Sequence, residues 1–430
     1  MTHIDRSCGC EEYQSLSRRG FLGLGPTAAA TAATAAVAAA VPAWLPRIAL
    51  AKSHSSSRDV LLNVFLRGGA DALNIVVPSG DPDYYNVRPT IGVKTVDLQP
   101  LKNTTLFGLV RGMWPLLPAY DAGHLAFVHA CGTPDPTRSH FDAQKFMEYG
   151  TPNQPNANLF TGWIARHLDT SSPLGPVRAI AMANTLPRSL AGGPGALPIR
   201  NVARFDLPGR AITETQRRRA IKDMYESNVP PMSNAALDTL DTIDLLKQVD
   251  VANYRPANNA QYPTSAFGTA LKNTAALIKG DIGLEVIEVD RGGWDTHATQ
   301  GTIQGRLQLL LDDLAQSLAA FYADLVTTHL SKVTVTVTSE FGRRVEENGS
   351  LGTDHGHAGM MMVMGGNVNG AQVYGKWPGL SIPQRWKGLD LNHTTDYREV
   401  LSEVISKRLG NSSLSTIFPN FTPSQTLGIV

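Results

Sequence analysis

Short runs of apolar and β-branched residues alternate along this chain with longer segments in which apolar residues recur at every third or fourth position. The short runs predict buried strands, and the longer segments predict helices that bury one face. Because strands and helices alternate, we expect an α/β fold with a mainly parallel central sheet and helices on both faces. The predicted strands are 60–66, 125–129, 177–182, 284–289, 333–338 and 360–364, and the predicted helices are 141–149, 159–168, 302–326 and 396–409.

Two regions depart from this alternation. Residues 212–280 contain two or three consecutive amphipathic segments and no convincing strand, so we interpret them as a helical insertion. The Gly- and Pro-rich stretch 190–198 is typical of a surface loop. We expect the rest of residues 52–430 to form one α/β domain around a large core.

Residues 1–51 have the pattern of an export signal rather than that of a folded domain. Arg18 and Arg19 precede an uncharged, Ala-rich stretch at 22–41, and the small-residue run 49–51 follows it. This arrangement is typical of a twin-arginine signal peptide, and a retained membrane anchor is the alternative. An anchor would be richer in Leu and Ile, so we expect cleavage at the end of the small-residue run and no stable membrane anchor. The mature chain is then expected in the periplasm or outside the cell, with the twin-arginine translocase as its partner during export.

The charge and the cysteine content exclude several classes of function. The 430 residues include 38 Lys and Arg against 37 Asp and Glu, which gives a formal net charge of +1. Nucleic-acid binding needs a surplus of basic residues on one surface, so we expect no nucleic-acid partner. Of the three cysteines, Cys8 and Cys10 fall in the predicted signal and only Cys131 remains. An internal disulfide, a c-type haem and a cysteine-bound iron–sulfur cluster are therefore excluded for the mature chain.

Acidic residues follow three of the predicted strands, close to the point where each strand ends. Carboxyl ends of parallel strands meet at one edge of a sheet, where ligands bind, so these side chains are expected to converge. Carboxylates that lie close together repel one another, and a divalent cation removes that repulsion. Together with nearby histidines and one further acid, the predicted metal ligands are Asp71, Asp295, His297, Glu340, Asp354, His355 and His357. Taken singly, Asp71 also suits a helix N-cap and Asp354 a turn.

Ser139 and His140 lie at the amino end of the predicted helix 141–149. The positive end of a helix favours an anionic group such as a phosphate or sulfate ester, so Ser139 is a candidate nucleophile. With Asp142 in the first turn, Ser139 also suits a helix N-cap. His140 could be a metal ligand, an oxyanion donor or a packed histidine, and these alternatives stay open.

Several runs of residues resemble those of one bacterial family. They are GGADALNIVVP (68–78), SHFDAQKFME (139–148), GGWDTH (292–297), TSEFGR (338–343), GTDHGHAGMMMVMGG (352–366) and VYGKWPGL (373–380). The chain resembles the twin-arginine-exported family called domain of unknown function 1501, and the resemblance covers essentially all of residues 52–430. That family is grouped with the alkaline-phosphatase and sulfatase superfamily. The resemblance implies a large α/β sandwich whose active site holds one or two divalent cations beside a Ser, Thr or modified Cys nucleophile.

The resemblance also implies roles for single residues. Asp71 would be the first metal-bridging acid, and Ser139 would be the nucleophile, with His140 beside it in the catalytic site. Asp295 and His297 would bind one ion. Their spacing departs from the superfamily pattern, because its Asp-x-x-x-His is shortened here to Asp-Thr-His.

A second ion would be bound by Glu340, with His355 or His357 completing the set. The superfamily usually has Asp-His where this chain has Glu340 and Phe341, so one imidazole is missing. Mixed carboxylate and imidazole ligands favour Zn, Mn or Fe over Ca. The expected cofactor is therefore a divalent metal, present as one or two ions.

These features predict an exported, metal-dependent hydrolase that acts on a phosphate or sulfate ester of a small molecule or glycan. The cation would polarise the ester and lower the pKa of Ser139, which would attack it. The alternative belongs to a different class, namely an exported protein without catalytic activity that binds a metal or glycan on a degenerate sulfatase-like fold.

Overall fold

The computed structural model describes residues 59–154, 159–226 and 232–430. The predicted export signal lies outside these residues. Within the described ranges, none of the helices is long and apolar enough to cross a bilayer.

Twelve strands are present in the described part of the chain, and they form two sheets. The strands are β1 (Val60–Arg67), β2 (Val76–Val77), β3 (Leu98–Pro100), β4 (Gly108–Val110), β5 (Leu125–Gly132), β6 (Ala179–Ala181), β7 (Ala196–Pro198), β8 (Val286–Gly292), β9 (Val333–Ser339), β10 (Gly359–Gly365), β11 (Val373–Tyr374) and β12 (Thr395–Asp396). The central sheet has nine strands in the order β11-β5-β10-β9-β1-β8-β6-β7, with β12 paired to β5. The small sheet is antiparallel, in the order β2-β4-β3.

The direction of β10 decides which loops meet at the edge of the central sheet. Strand β10 is antiparallel to both β5 and β9, whereas the other pairs in the central sheet are parallel. The carboxyl ends of β1, β5, β8 and β9 therefore lie at the same edge as the amino end of β10. Ligand sites of open parallel sheets lie at this edge.

The helices in the described ranges include the four that were predicted singly, three in the predicted helical insertion 212–280, and three others. They are α1 (Tyr84–Val87), α2 (Leu117–Asp121), α3 (His140–Tyr149), α4 (Trp163–Asp169), α5 (Glu214–Glu226), α6 (Met232–Gln248), α7 (Ala266–Lys279), α8 (Arg306–Leu325), α9 (Tyr397–Lys407) and α10 (Leu414–Ile417). Helices α4 and α8 begin later than predicted, each directly after a glycine. At Gly305, φ is +96°, which lies outside the helical region and delays the start of α8.

Both faces of the central sheet are covered. Successive side chains of a strand point to opposite faces, and β1 follows this rule. Leu62 and Val64 enter one core together with residues of α7 and α8, whereas Leu61 and Phe65 enter a second core with residues of α4 and α9. A mainly parallel sheet with helices on both faces confirms the predicted fold class.

The predicted surface loop at 190–198 is only partly correct. Its last three residues form β7, which pairs in parallel with β6 at the end of the sheet. Leu190 and Ala196 are fully buried in the core that contains α4. The glycines that suggested a loop allow the chain to turn, but the residues around them pack inside.

The region 212–280 contains α5, α6 and α7, and its described residues include no strand. Helix α7 packs against α8 and buries Phe267 and Leu271 in the core of the central sheet. Helices α5 and α6 pack against each other and are joined by ion pairs, including the one between Arg218 and Asp244.

Candidate metal centre

Five segments of the chain meet at the edge of the sheet where β1, β8 and β9 end. They are joined by hydrogen bonds that tie the loop after β1 to the loop after β9, and the start of α3 to the segment before β10. Because β10 is antiparallel, the segment before it reaches the same edge as the loops after the parallel strands. The segments are 68–71, 138–140, 293–297, 340–343 and 352–358.

Three imidazoles converge on one carboxylate oxygen, Oδ1 of Asp295. Nε2 of His297 lies 3.1 Å from this oxygen and Nε2 of His355 lies 3.2 Å from it. Nε2 of His140 lies 3.6 Å away, and the two nitrogens of His297 and His355 are 2.9 Å apart. Ligand atoms of His140, Asp295 and His355, one from each residue, also lie within 4.8 Å of one another, and His297 is not part of this group.

Each of the three rings is fixed through its other nitrogen, Nδ1. His140 donates from Nδ1 to Glu340 Oε1 at 2.8 Å, and His297 donates to Asp354 Oδ1 at 3.3 Å. His355 donates to the carbonyl oxygen of Arg138 at 2.8 Å. Carboxylates and carbonyls accept and do not donate, so Nδ1 carries the proton in each ring. In the neutral rings, all three Nε2 atoms therefore present a lone pair to Asp295.

This arrangement fits a divalent cation. Two imidazole lone pairs 2.9 Å apart repel each other unless a positive charge lies between them. Nε2 of His140 is buried and has no hydrogen-bond partner. Ligands that lie about 2.1 Å from a tetrahedral Zn are about 3.4 Å apart, close to the separations found here. A hydrogen bond from the far nitrogen of the ring is also the usual support for a metal-binding histidine.

Buried Arg343 keeps Asp295 in its ionised form. Its Nη2 atom donates to Asp295 Oδ1 at 2.7 Å, and its side chain is fully buried. Partial burial alone would raise the pKa of the Asp295 carboxyl, but the hydrogen bond and charge of Arg343 outweigh it and bring the pKa to about 2. Burial lowers the pKa of His355, which favours the neutral ring that a metal requires.

Glu340 lies behind His140 and not beside the other ligand atoms. Its side chain is fully buried, and Oε1 accepts from the backbone N–H of Gly68, from His140 and from Gln144 at 2.8 to 2.9 Å. Oε2 accepts from the N–H of Gly69 at 3.1 Å and from Ser339. Burial opposes ionisation, but these hydrogen bonds outweigh it, and the pKa of Glu340 lies below its ordinary value. The structure thus places this predicted ligand as the carboxylate that orients His140.

Asp354 has the corresponding position behind His297. Its Oδ1 atom accepts from Asn348 Nδ2 at 3.0 Å as well as from His297. The hydrogen bond from Asn348 is the largest cause of a pKa below the ordinary value for Asp354, although burial opposes it. Both acids are therefore in the site, one hydrogen bond away from the converging nitrogens.

Two predicted ligands, Asp71 and His357, lie outside the converging group and have other partners. Asp71 Oδ2 accepts from Arg88 Nη1 at 2.6 Å and from Gln300 Nε2 at 2.7 Å. His357 Nε2 lies 2.9 Å from His393 Nδ1, and its ring stacks on Trp386 at 4.3 Å. Burial lowers the pKa of His357 to about 3, so its ring is neutral.

Ser139 lies between two residues that contact the converging group. The residue before it, Arg138, accepts the hydrogen bond of His355 through its carbonyl, and the residue after it is His140. Ser139 is also the N-cap of α3, where Oγ accepts from the N–H of Asp142 at 3.4 Å. The hydroxyl is therefore at the positive end of a ten-residue helix beside the site.

Sequence reasoning did not assign a role to several residues that build the site. Gln144 lies one helical turn after His140, and this spacing could have placed both on one face of α3. Arg343 lies within the run TSEFGR, but a lone arginine gives no sign that it will be buried. Arg138 and Asn348 act through a carbonyl and an amide, for which the sequence has no signal.

A model of the family described as "Protein of unknown function (DUF1501)" matches residues 58–398. The chain belongs to this family. The resemblance that its sequence motifs indicated is therefore confirmed. No curated protein matches the sequence of this DUF1501 chain.

Solved structures that the DUF1501 chain resembles include Ps i-CgsB in complex with k-i-k-neocarrahexaose, with 7% identity, a TM-score of 0.40 and coverage of 84% of this chain and 74% of that one. A protein in the alkaline phosphatase superfamily from Vibrio parahaemolyticus has 10% identity and a TM-score of 0.31, and the match covers 77% of this chain and 66% of that one. The C-terminal periplasmic domain of EcEptC from Escherichia coli, in a complex with Zn, has 10% identity and a TM-score of 0.33. The match covers 75% of this chain and 77% of that one.

Proposed function

We propose that this protein is an exported, metal-dependent hydrolase of phosphate or sulfate esters. One observation carries the proposal: the Nε2 atoms of three histidines and an ionised carboxylate converge beside a serine at the positive end of α3. Such a set can hold a cation, an anionic ester and a nucleophile close together.

The ligands of the cation would be Nε2 of the three histidines and the carboxylate of the aspartate, namely His140, His297, His355 and Asp295. When bound, a divalent ion such as Zn, Mn or Fe would polarise an ester oxygen and lower the pKa of a nearby hydroxyl. Glu340, Asp354 and the carbonyl of Arg138 hold the rings in position for this ligand set.

Ser139 is the proposed nucleophile. Its backbone is fixed on both sides, because each neighbour in the chain bonds to the centre. An ester bound at the amino end of α3 would receive N–H groups and the positive end of the helix dipole. Oγ of Ser139 would give up its proton and attack the phosphorus or sulfur, the bond to the leaving-group oxygen would break, and that oxygen would take up a proton to give the alcohol.

Water would complete the reaction. Its oxygen would form a bond to the phosphorus or sulfur, the bond to Ser139 Oγ would break, and the serine would recover its proton. The products are an alcohol and inorganic phosphate or sulfate. Export by the twin-arginine route would place this reaction in the periplasm or outside the cell, on a small molecule or a glycan.

The experiment compares two serine N-caps in one protein. Ser139 caps α3 in the site, and Ser265 caps α7 outside it, where its Oγ accepts from the N–H of Gly268 at 2.9 Å. Ser139→Ala should lower the free energy of unfolding by about 1 kcal/mol. Ser265→Ala should lower it by more, because Ser265 Oγ also donates to Asp313 Oδ1. Only Ser139→Ala should lower the hydrolysis of an aryl phosphate or aryl sulfate by metal-loaded protein, by about 1,000-fold or more.

Two results would contradict this proposal. If Ser139→Ala hydrolyses the aryl ester as fast as Ser265→Ala, then Ser139 is only a cap and water attacks the ester directly. If the wild-type protein binds metal but hydrolyses no aryl phosphate or sulfate, the alternative of a non-catalytic metal- or glycan-binding protein is favoured. The cap hydrogen bond of Ser139 is the observation that favours the first of these results.

A further inference from the structure

We propose that the centre binds a single divalent ion. Buried arginines already neutralise the acids that a second ion would need as ligands. This inference rests on the metal site proposed above. It concerns the two acids Asp71 and Asp295, which were expected to help bind one or two ions.

Arg343 donates to Oδ1 of Asp295, the same carboxylate oxygen that the three imidazoles approach. It is fully buried and donates to the carbonyl oxygens of Gly68, Gly69 and Thr353 as well as to Asp295. These bonds fix the guanidinium in one position. A second cation at Asp295 would lie close to both this guanidinium and the first ion, and repulsion between like charges is strong in a buried site.

Asp71 is neutralised in the same way. Its partner Arg88 is fully buried, and the two side chains lie 2.6 Å apart with the acid only 1% exposed. Arg88 is itself held by the carbonyl oxygens of Val345 and Arg344 and by Asn74 Oδ1. Removing one partner of a buried ion pair is strongly unfavourable, so this arginine cannot easily yield to a metal.

Three of the four carboxylate oxygens of Glu340 and Asp354 already accept hydrogen bonds. Both oxygens of Glu340 accept hydrogen bonds, and Asp354 bonds to Asn348 and His297. Asp71 Oδ1 is buried and without a partner, so it is the oxygen that a second ion would use. Among the described residues, however, no group of three ligands contains Asp71. One oxygen cannot replace the several ligands that a bound divalent ion requires.

The first test is the metal content of the wild-type protein. Protein stripped with a chelator is reloaded with Zn or Co, freed of loose metal and measured by inductively coupled plasma mass spectrometry. We expect one ion per chain and, with Co, the visible absorption of a tetrahedral site. Two tightly bound ions per chain would overturn the inference and leave the proposed hydrolase intact. No bound ion would overturn the inference together with the metal site of the proposed function.

A matched pair of variants assigns the ion to its ligands. Asp71→Asn should leave one ion per chain, with its dissociation constant changed by less than about threefold, since Asp71 is not a ligand in this account. Asp295→Asn should weaken binding by at least about 100-fold, because even residues behind the ligands contribute 10- to 100-fold. Loss of the ion in Asp71→Asn, with folding verified by circular dichroism, would contradict the proposal.

Discussion

At the scale of single residues, the direction of three lone pairs is what makes this group a candidate metal centre. The acceptors on Nδ1 differ in kind, since Glu340 and Asp354 are carboxylates and Arg138 offers a carbonyl. Each of them fixes the tautomer and the orientation of its ring.

Glu340→Gln tests whether the residue behind His140 supports metal binding. A glutamine oxygen can still accept from His140, but its NH₂ group then faces donors such as the N–H of Gly69. The affinity for Zn should fall by about 10- to 100-fold. Isothermal titration with a competing chelator measures it. Glu346→Gln is the control, because Glu346 is exposed and pairs with Arg385. Equal affinities in the two variants would show that Glu340 does not support the centre.

The sequence identified the acids of the site but not their roles. Asp295 and Glu340 converge with the histidines, as expected for acids at strand ends, and Asp354 joins them from the segment before β10. Whether an acid binds a metal directly or through an imidazole depends on shifts of a few ångströms, and residue type does not report such shifts. His357 illustrates the same limit, because it lies two residues from His355 and yet stacks on Trp386.

At the scale of elements, the loop after β1 brings its backbone into the centre. Gly68 has φ of +121°, and its N–H donates to Glu340. A Cβ atom on Gly68 would lie 2.6 Å from the backbone nitrogen of Asp295, which is too close for any side chain. Glycine is therefore needed here for both its conformation and its small size.

Gly68→Ala should abolish metal binding and destabilise the fold, because the added carbon pushes Asp295 away from the histidines. We expect a loss of about 1–3 kcal/mol in the free energy of unfolding. Gly123→Ala is a matched control, since Gly123 also has positive φ, at +78°, but has no heavy atom within 4 Å of the added carbon. It should lose about 1 kcal/mol and keep its metal. Metal content and thermal unfolding distinguish the two variants. Normal metal content in Gly68→Ala would contradict this role of the loop.

The direction of β10 could not be predicted from the sequence pattern. Apolar runs identify strands but give no direction, and a parallel strand at this place would begin at the opposite edge. The antiparallel course of β10 brings His355 to the edge where β1, β8 and β9 end. The convergence of Asp295 and Glu340, in contrast, follows from parallel pairing and was predictable.

At the scale of the whole molecule, the fold class follows from the alternation of strands and helices, and the structure confirms it. The short edge strand β7 was missed because glycines and a proline surround it. Buried ion pairs such as Arg88 with Asp71 and Arg178 with Glu285 were not predictable, because charged residues are usually exposed.

Export makes a prediction for the whole chain. The mature protein should begin within a few residues of Lys52, because the small-residue run 49–51 is the cleavage site expected after the apolar stretch. The intact mass of the exported protein measures this start. Changing Arg18 and Arg19 together to Lys should block export. Full-length chain in the membrane fraction, or export that survives this change, would contradict the twin-arginine assignment.

The most direct test of the metal centre is anomalous diffraction, at the zinc absorption edge, from crystals of the zinc-loaded protein. The account predicts one strong peak that lies about 2.0–2.2 Å from Nε2 of all three histidines and from a carboxylate oxygen of Asp295. The histidines are His140, His297 and His355. An ordered centre without a peak in the presence of excess zinc, or a peak at His357 and His393 instead, would contradict it.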